Sequence, residues 1–165
     1  MAENNVIRLL EQRKIPFTVF HLPEEKLGAE ETAAFLNVPL DCIFKTIVVL
    51  REGHGKPLLV VIPGSREVDL KAVAAFLGEK KVRIPVQREA EQLTGLLSGG
   101  ISPLALINRG FQVLLDCEAE KHTQIHISGG QRGLNILLPV KDLLRLTQAR
   151  LAPVSRPMQE RPASP

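Results

Sequence analysis

Apolar residues recur at helical spacing in Val6-Ile7-Arg8-Leu9-Leu10-Glu11, a pattern that predicts an amphipathic helix stopping near Lys14-Ile15-Pro16. Phe17-Thr18-Val19-Phe20 predicts a short strand. A polar run over 24–31 leads into a second helix over 29–36, with Ala33, Ala34 and Leu36 available for packing, and Pro39 lies beyond its end. Residues 42–50 form a long strand, and a turn built on Gly53 and Gly55 returns the chain to a hairpin partner at 58–62. Pro63-Gly64-Ser65 breaks that strand. Asp69 is placed to cap a helix through Phe76, which Gly78 closes. A short strand at 82–84 and a brief helix at 87–93, closed by Gly95, come next. Strands follow at 111–115, 123–127 and 134–138, and Pro139-Val140-Lys141-Asp142 opens a last helix to about Gln148.

Strands and helices mix without a regular βαβ alternation or an internal repeat. The expected class is α/β in the α+β sense: a mixed, mostly antiparallel sheet or small barrel flanked by helices. The 165 residues suit one domain, expected over 1–151. From Ala152 onward four prolines fall in fourteen residues with little to bury, so 152–165 reads as a disordered Pro-rich tail.

Composition narrows the function classes. The longest apolar stretches are strand-sized, short of the roughly 20 residues of a membrane span. The start, Met1-Ala2-Glu3-Asn4-Asn5, lacks the basic end and apolar run of a secretory signal. Cys42 and Cys117 each lie in an apolar stretch and read as buried thiols of a reducing compartment, which places the protein in the cytoplasm. A net charge of +3 permits a nucleic-acid partner without requiring one. With no Trp, no Tyr and six Phe, a surface that stacks bases on aromatic rings is excluded. Any RNA must be held by backbone groups, Lys and Arg.

Lys45 stands in a strand whose two faces are otherwise largely apolar. Buried there, its ammonium needs an anion or a set of carbonyls; alternatively it ends the strand and snorkels to water. The residues alone leave both open. Seven of the twelve glycines lie between 95 and 133, in two clusters that are neither helix nor strand: Ser98-Gly99-Gly100-Ile101-Ser102-Pro103 and Ser128-Gly129-Gly130-Gln131-Arg132-Gly133. Paired glycines let a ligand approach backbone amides closely, and they also build ordinary tight turns. The second cluster, between two strands, suits a hairpin turn; the first, ended by proline, suits a binding wall. Arg132, with glycine on both sides of Gln131-Arg132, is free to reach a ligand.

Several sharper motifs fail. Gly100-Ile101-Ser102-Pro103 lacks the second glycine of a nucleophile elbow, and Pro103 has no N–H for an oxyanion hole, so Ser102 is no hydrolase nucleophile. Neither a phosphate loop of the NTPase kind nor a GxGxxG is present. His122 and His126 stand about 13 Å apart if the segment is a strand, too far to share a metal. His21 and His54 read as solvated in polar turns. Lys80, Lys81, Arg83 and Arg88, offset by Glu79, Glu89 and Glu91, read as a solvated face or a modest phosphate contact.

In order and spacing these pieces resemble the YbaK family of aminoacyl-tRNA editing domains, also called the prolyl-tRNA-synthetase-associated domain. The likeness covers residues 5–151. It rests on Leu9-Leu10-Glu11 with Lys14-Ile15 and Phe17, on Phe44-Lys45-Thr46, on Thr94-Gly95, and on Gly99-Gly100-Ile101-Ser102-Pro103-Leu104. Ile127 to Leu134 and the helix Asp142-Leu143-Leu144-Arg145-Leu146-Thr147 complete it.

The resemblance implies trans-editing: hydrolysis of the ester of a mischarged tRNA, with Cys-tRNA(Pro) or a related misacylated tRNA as substrate and no cofactor or metal. Lys45 matches the family's essential lysine, which meets a phosphate or carbonyl near the acceptor end. Gly99, Gly100, Ile101, Ser102 and Pro103 match its G-x-x-x-P loop, whose backbone shapes the amino-acid pocket. Thr46, Ser128, Gly129, Gly130 and Arg132 join the expected substrate-binding set. A positioned water, or the thiol of a cysteinyl ester, makes the attack, since the family lacks a protein nucleophile. The resemblance departs at Leu22, set where cysteinyl-specific relatives carry a Tyr; alanine, serine, threonine or a non-protein amino acid are therefore open alongside cysteine. Partners are the tRNA and the prolyl-tRNA synthetase, with no membrane. The rival functions are an idle module that binds tRNA or a synthetase, and a small-molecule binder using the same pocket.

Overall fold

The computed structural model describes residues 4–53 and 55–158. Helix α1 (Asn5–Gln12) starts where the Asn4 side chain accepts from the Val6 and Ile7 amides, and it buries Val6 and Leu10. Strand β1 (Thr18–His21) and helix α2 (Ala29–Leu36) follow. The long hairpin is β2 (Phe44–Arg51) with β3 (Leu58–Pro63), and a short β4 (Arg66–Val68) follows it. Asp69 caps α3 (Leu70–Leu77) by accepting from the Ala72 amide, and Gly78 closes it at φ +72°, where glycine costs least. The chain continues through β5 (Val82–Arg83), α4 (Gln87–Thr94), β6 (Gln112–Asp116), β7 (Gln124–Ser128), β8 (Leu134–Pro139) and α5 (Val140–Thr147). It ends in β9 (Arg150–Ala152) and β10 (Ser155–Pro157).

The sheets are open, so of the two expected architectures the mixed sheet is realised and the barrel is not. The main sheet runs β5-β2-β3-β6-β9, a second β1-β8-β7, and β10 pairs with β4. Pairing is mostly antiparallel; β3–β6 and β6–β9 are parallel. All six residues of β3 are buried because both faces of the main sheet are covered. Phe44, Val48, Leu59, Val61, Val113 and Leu115 face the larger core, which includes α1, α5 and the second sheet. Val49, Leu58, Val60, Ile62 and Leu114 face a smaller one under α3. Ile43 forms a parallel bridge with His126, tying the start of β2 to the second sheet.

The expectation of a disordered tail from 152 is overturned for 152–158. Ala152 and Val154 are 1% and 0% exposed in the smaller core. The Val154 amide donates to Asp116 Oδ1 (3.0 Å) and its carbonyl accepts from the Asp69 amide (2.9 Å). Prolines space the strands without preventing them, because an edge strand need not donate at every residue. Residues 159–165 lie outside the described residues. Neither cysteine is a core residue: both are free and half-buried, and burial pushes both thiols above the ordinary cysteine value. No helix is long and apolar enough to cross a membrane.

Candidate active site

Three loops converge on the start of β2. Loop 22–28 is held to the second cluster by the Leu22 amide, which donates to Gly133 O at 2.9 Å. Loop 98–101 is held there by Arg132, whose Nε donates to Ser98 O at 2.7 Å. The guanidinium expected to reach a ligand is therefore a staple between the two glycine clusters. Gly100 lies so close to the other strand of this contact that an added Cβ would stand 2.9 Å from the Gln131 backbone. Asn4 completes the brace, donating through Nδ2 to Gly129 O (3.1 Å) and Gln131 Oε1 (2.9 Å).

Between these loops and β2 lies a cavity of about 260 Å³. Of the sequence-predicted residues, Lys45, Thr46, Leu22, Gly99, Ile101 and Ser128 line it. Gly100, Ser102, Pro103, Gly129, Gly130 and Arg132 do not; they shape its wall from behind. Ser102 is fully buried, and its Oγ accepts from the Leu104 amide (3.2 Å), capping a turn that starts at Pro103. Ser128 Oγ donates to Gly99 O (3.4 Å) and accepts from the Gly130 amide (3.3 Å), which fixes the rim. Sequence reasoning missed Leu27, Gly28, Thr32 and Asn135, which also line the cavity. Gly28, as the N-cap of α2, was signalled by the break before Ala29; a buried Asn135 in an apolar strand was the other available signal.

Lys45 is half-buried, and its Nζ donates to Gly64 O over a long 3.4 Å. Burial pushes its pKa below that of an ordinary lysine, and the fields of Glu67 and Glu30 only partly oppose this. Gly64 is held in place by packing: its amide donates to Ile43 O at 2.6 Å, and a Cβ there would stand 2.5 Å from that of Ala29. The result is an ammonium with one weak carbonyl partner, facing a cavity.

The loop amides complete the electrostatics. Gly100 N–H is spent on Leu97 O (2.8 Å), while the N–H groups of Gly99 and Ile101 have no hydrogen-bond partner among the described residues. Both residues line the cavity with Lys45. Such donors can polarise a carbonyl without any side chain moving. Among the described residues no three His, Cys, Asp or Glu side chains stand together as a metal site. His126 is buried beside Asn135 rather than paired with His122, and His122 packs edge-on to Phe44 with ring centroids 6.1 Å apart. His21 is exposed, and His54 lies outside the described residues.

A lowered lysine has a testable consequence. The charged form is the one burial disfavours, so Lys45 loses its proton as pH rises through a value below that of a free lysine. Any activity that needs the ammonium falls along that limb, after subtraction of spontaneous ester hydrolysis. Lys45→Arg, whose guanidinium stays charged, should lose this alkaline limb; a pH–rate profile of kcat/KM for both proteins checks it.

An open α+β domain with a half-buried lysine facing unpaired loop amides defines a class of small site that binds and polarises an anionic or carbonyl-bearing ligand. The chain belongs to the aminoacyl-tRNA editing domain family, which matches residues 23–146. It is 35% identical over 155 residues, 93% of each chain, to EbsC of Enterococcus faecalis, provisionally named a Cys-tRNA(Pro)/Cys-tRNA(Cys) deacylase. It is 23% identical over 154 residues to the multifunctional Ser/Thr-tRNA deacylase ProXp-y of Escherichia coli K12, covering 92% of this chain and 91% of that one. Among solved structures, hypothetical protein APE2540 superposes with a TM-score of 0.83 at 26% identity, over 92% of this chain and 99% of that one.

Proposed function

We propose that this protein is a free-standing trans-editing deacylase that hydrolyses the ester of a mischarged tRNA in the cytoplasm. tRNA(Pro) is the favoured carrier and prolyl-tRNA synthetase the enzyme whose errors it corrects. One observation carries the reading: the Lys45 ammonium and the unpaired N–H groups of Gly99 and Ile101 share one cavity.

In this reading Lys45 meets a phosphate or carbonyl oxygen at the acceptor end, and the two amides draw charge onto the ester carbonyl as it becomes tetrahedral. Water attacks the carbonyl carbon, the bond to the ribose oxygen breaks, and the products are the free amino acid and the tRNA hydroxyl. Aminoacyl esters are already activated, so holding one in a fixed pose supplies much of the acceleration. No protein nucleophile is required, in keeping with Ser102 capping a turn and with two thiols that burial keeps protonated.

The test is a deacylation screen of tRNA(Pro), tRNA(Cys) and tRNA(Ala) charged with cysteine, alanine, serine and threonine, run with and without chelator. At least one combination releases its amino acid, and chelator does not slow it. Release from none of them overturns the reading, and full inhibition by chelator overturns its metal-free form.

A further inference from the structure

The cavity has a polar closed end that the hydrolysis does not use. Asn135 is 4% exposed and His126 3%, and the His126 Nδ1 and Asn135 Oδ1 atoms are 2.7 Å apart. Phe20 packs on the imidazole, with ring centroids 5.3 Å apart. Burial pushes the His126 pKa below the ordinary range, and the Asn135 bond only partly opposes it, so the ring is neutral with its proton on Nδ1. That bond holds the Asn135 carboxamide in one orientation.

The other half of the amide, Nδ2, has no partner among the described residues. It is not sealed in either, because no buried side-chain nitrogen or oxygen there lacks a partner. An amide nitrogen that is neither bonded nor sealed opens into the cavity Asn135 lines. Exposed Glu25 and Gly99 stand at the rim, so the ribose of a bound ester leaves on that side and the amino-acid side chain points inward.

We infer that Asn135, held by His126 as a positioning residue, selects an amino acid whose side chain carries a hydroxyl, serine or threonine; this rests on the deacylase reading above. A hydroxyl both donates and accepts, so it satisfies the amide in either orientation, whereas a thiol does both weakly and a methyl group neither. A site built to hydrogen-bond a hydroxyl rejects the analogue lacking it by as much as about 10⁴-fold, because its own buried polar group is left unpaired.

The experiment compares kcat/KM for seryl-, threonyl-, cysteinyl- and alanyl-esters on one tRNA. The wild type should favour the better of seryl and threonyl over alanyl by at least roughly tenfold, with cysteinyl between them. Asn135→Leu should bring that ratio below about threefold while holding the alanyl rate, and His126→Phe should lower the ratio in the same direction. Thermal unfolding of both variants verifies that they fold, and the wild-type ratio stands without them. Alanyl release as fast as seryl and threonyl in the wild type, or an unchanged ratio in a folded Asn135→Leu, overturns this proposal and leaves the deacylase reading intact. A wild type that hydrolyses none of the four esters overturns both.

Discussion

Lys45→Ala abolishes amino-acid release from a mischarged tRNA, lowering kcat/KM by roughly 100-fold or more, the scale of losing one group that stabilises developing charge. The protein stays folded. Lys45 is half-buried with a single 3.4 Å carbonyl contact, and burial disfavours its charge. The folded state therefore binds that proton less tightly than the unfolded chain, so below the folded pKa the lysine costs stability rather than adding it. At neutral pH the melting temperature of Lys45→Ala should equal or exceed that of the wild type. A variant that keeps its release rate would leave the idle binding module as the better account, since such a module needs only the surface of the domain. Lys45→Met, which retains the bulk of the stem, separates loss of charge from loss of packing.

The second large effect lies at the other end of the chain. A protein ending at Leu151 loses Val154 from the smaller core and leaves Asp116, 1% exposed, without one of its two backbone donors; the Glu118 amide remains on Oδ2 at 3.1 Å. Removing the burial of one valine costs about 1.5–3 kcal/mol, and leaving a buried carboxylate short of a partner adds to that. The expected loss is about 3–5 kcal/mol, or roughly 10 °C in melting temperature for a chain of this size. Calorimetry on the truncated and full chains decides it. A shift within about 2 °C would mean that the β10–β4 pair and the Val154 plug contribute little. The same cut should reduce activity, because β10 braces β4, which directly follows the Gly64 carbonyl that Lys45 contacts.

These two predictions mark where the sequence was legible and where it was not. Helices and strands with strong periodicity were readable to within a residue or two, α3 most clearly, because Asp69 and Gly78 carry the capping chemistry themselves. Segment 152–158 was not readable. Its order comes from a hydrogen bond to Asp116 and a pairing with β4, contacts made with residues 36 or more positions away, and proline content alone points the other way. The three-residue β4 was invisible for the same reason, being a strand only because β10 lies beside it.

The site divides along a similar line. Lys45 was legible as an ionisable group in an apolar strand, and the paired glycines as places of close approach. What the residues could not reveal was which faces the cavity and which supports it. Gly100 and Arg132 serve the contact between loops, Ser102 serves a cap, and Ser128 and Gly99 share the rim. Asn135 stood unremarked in a strand of leucines and isoleucines. Its meaning depends on the register that sets His126 diagonally across from it on β7.

The most direct measurement is a co-crystal structure with a non-hydrolysable amide analogue of aminoacyl-adenosine. The account predicts the carbonyl oxygen within hydrogen-bond distance of the Gly99 or Ile101 amide, with Lys45 Nζ on an oxygen of the same ligand. An analogue seated instead in the larger groove lined by Arg13, Lys56 and Arg145, or bound with Lys45 untouched, would contradict it.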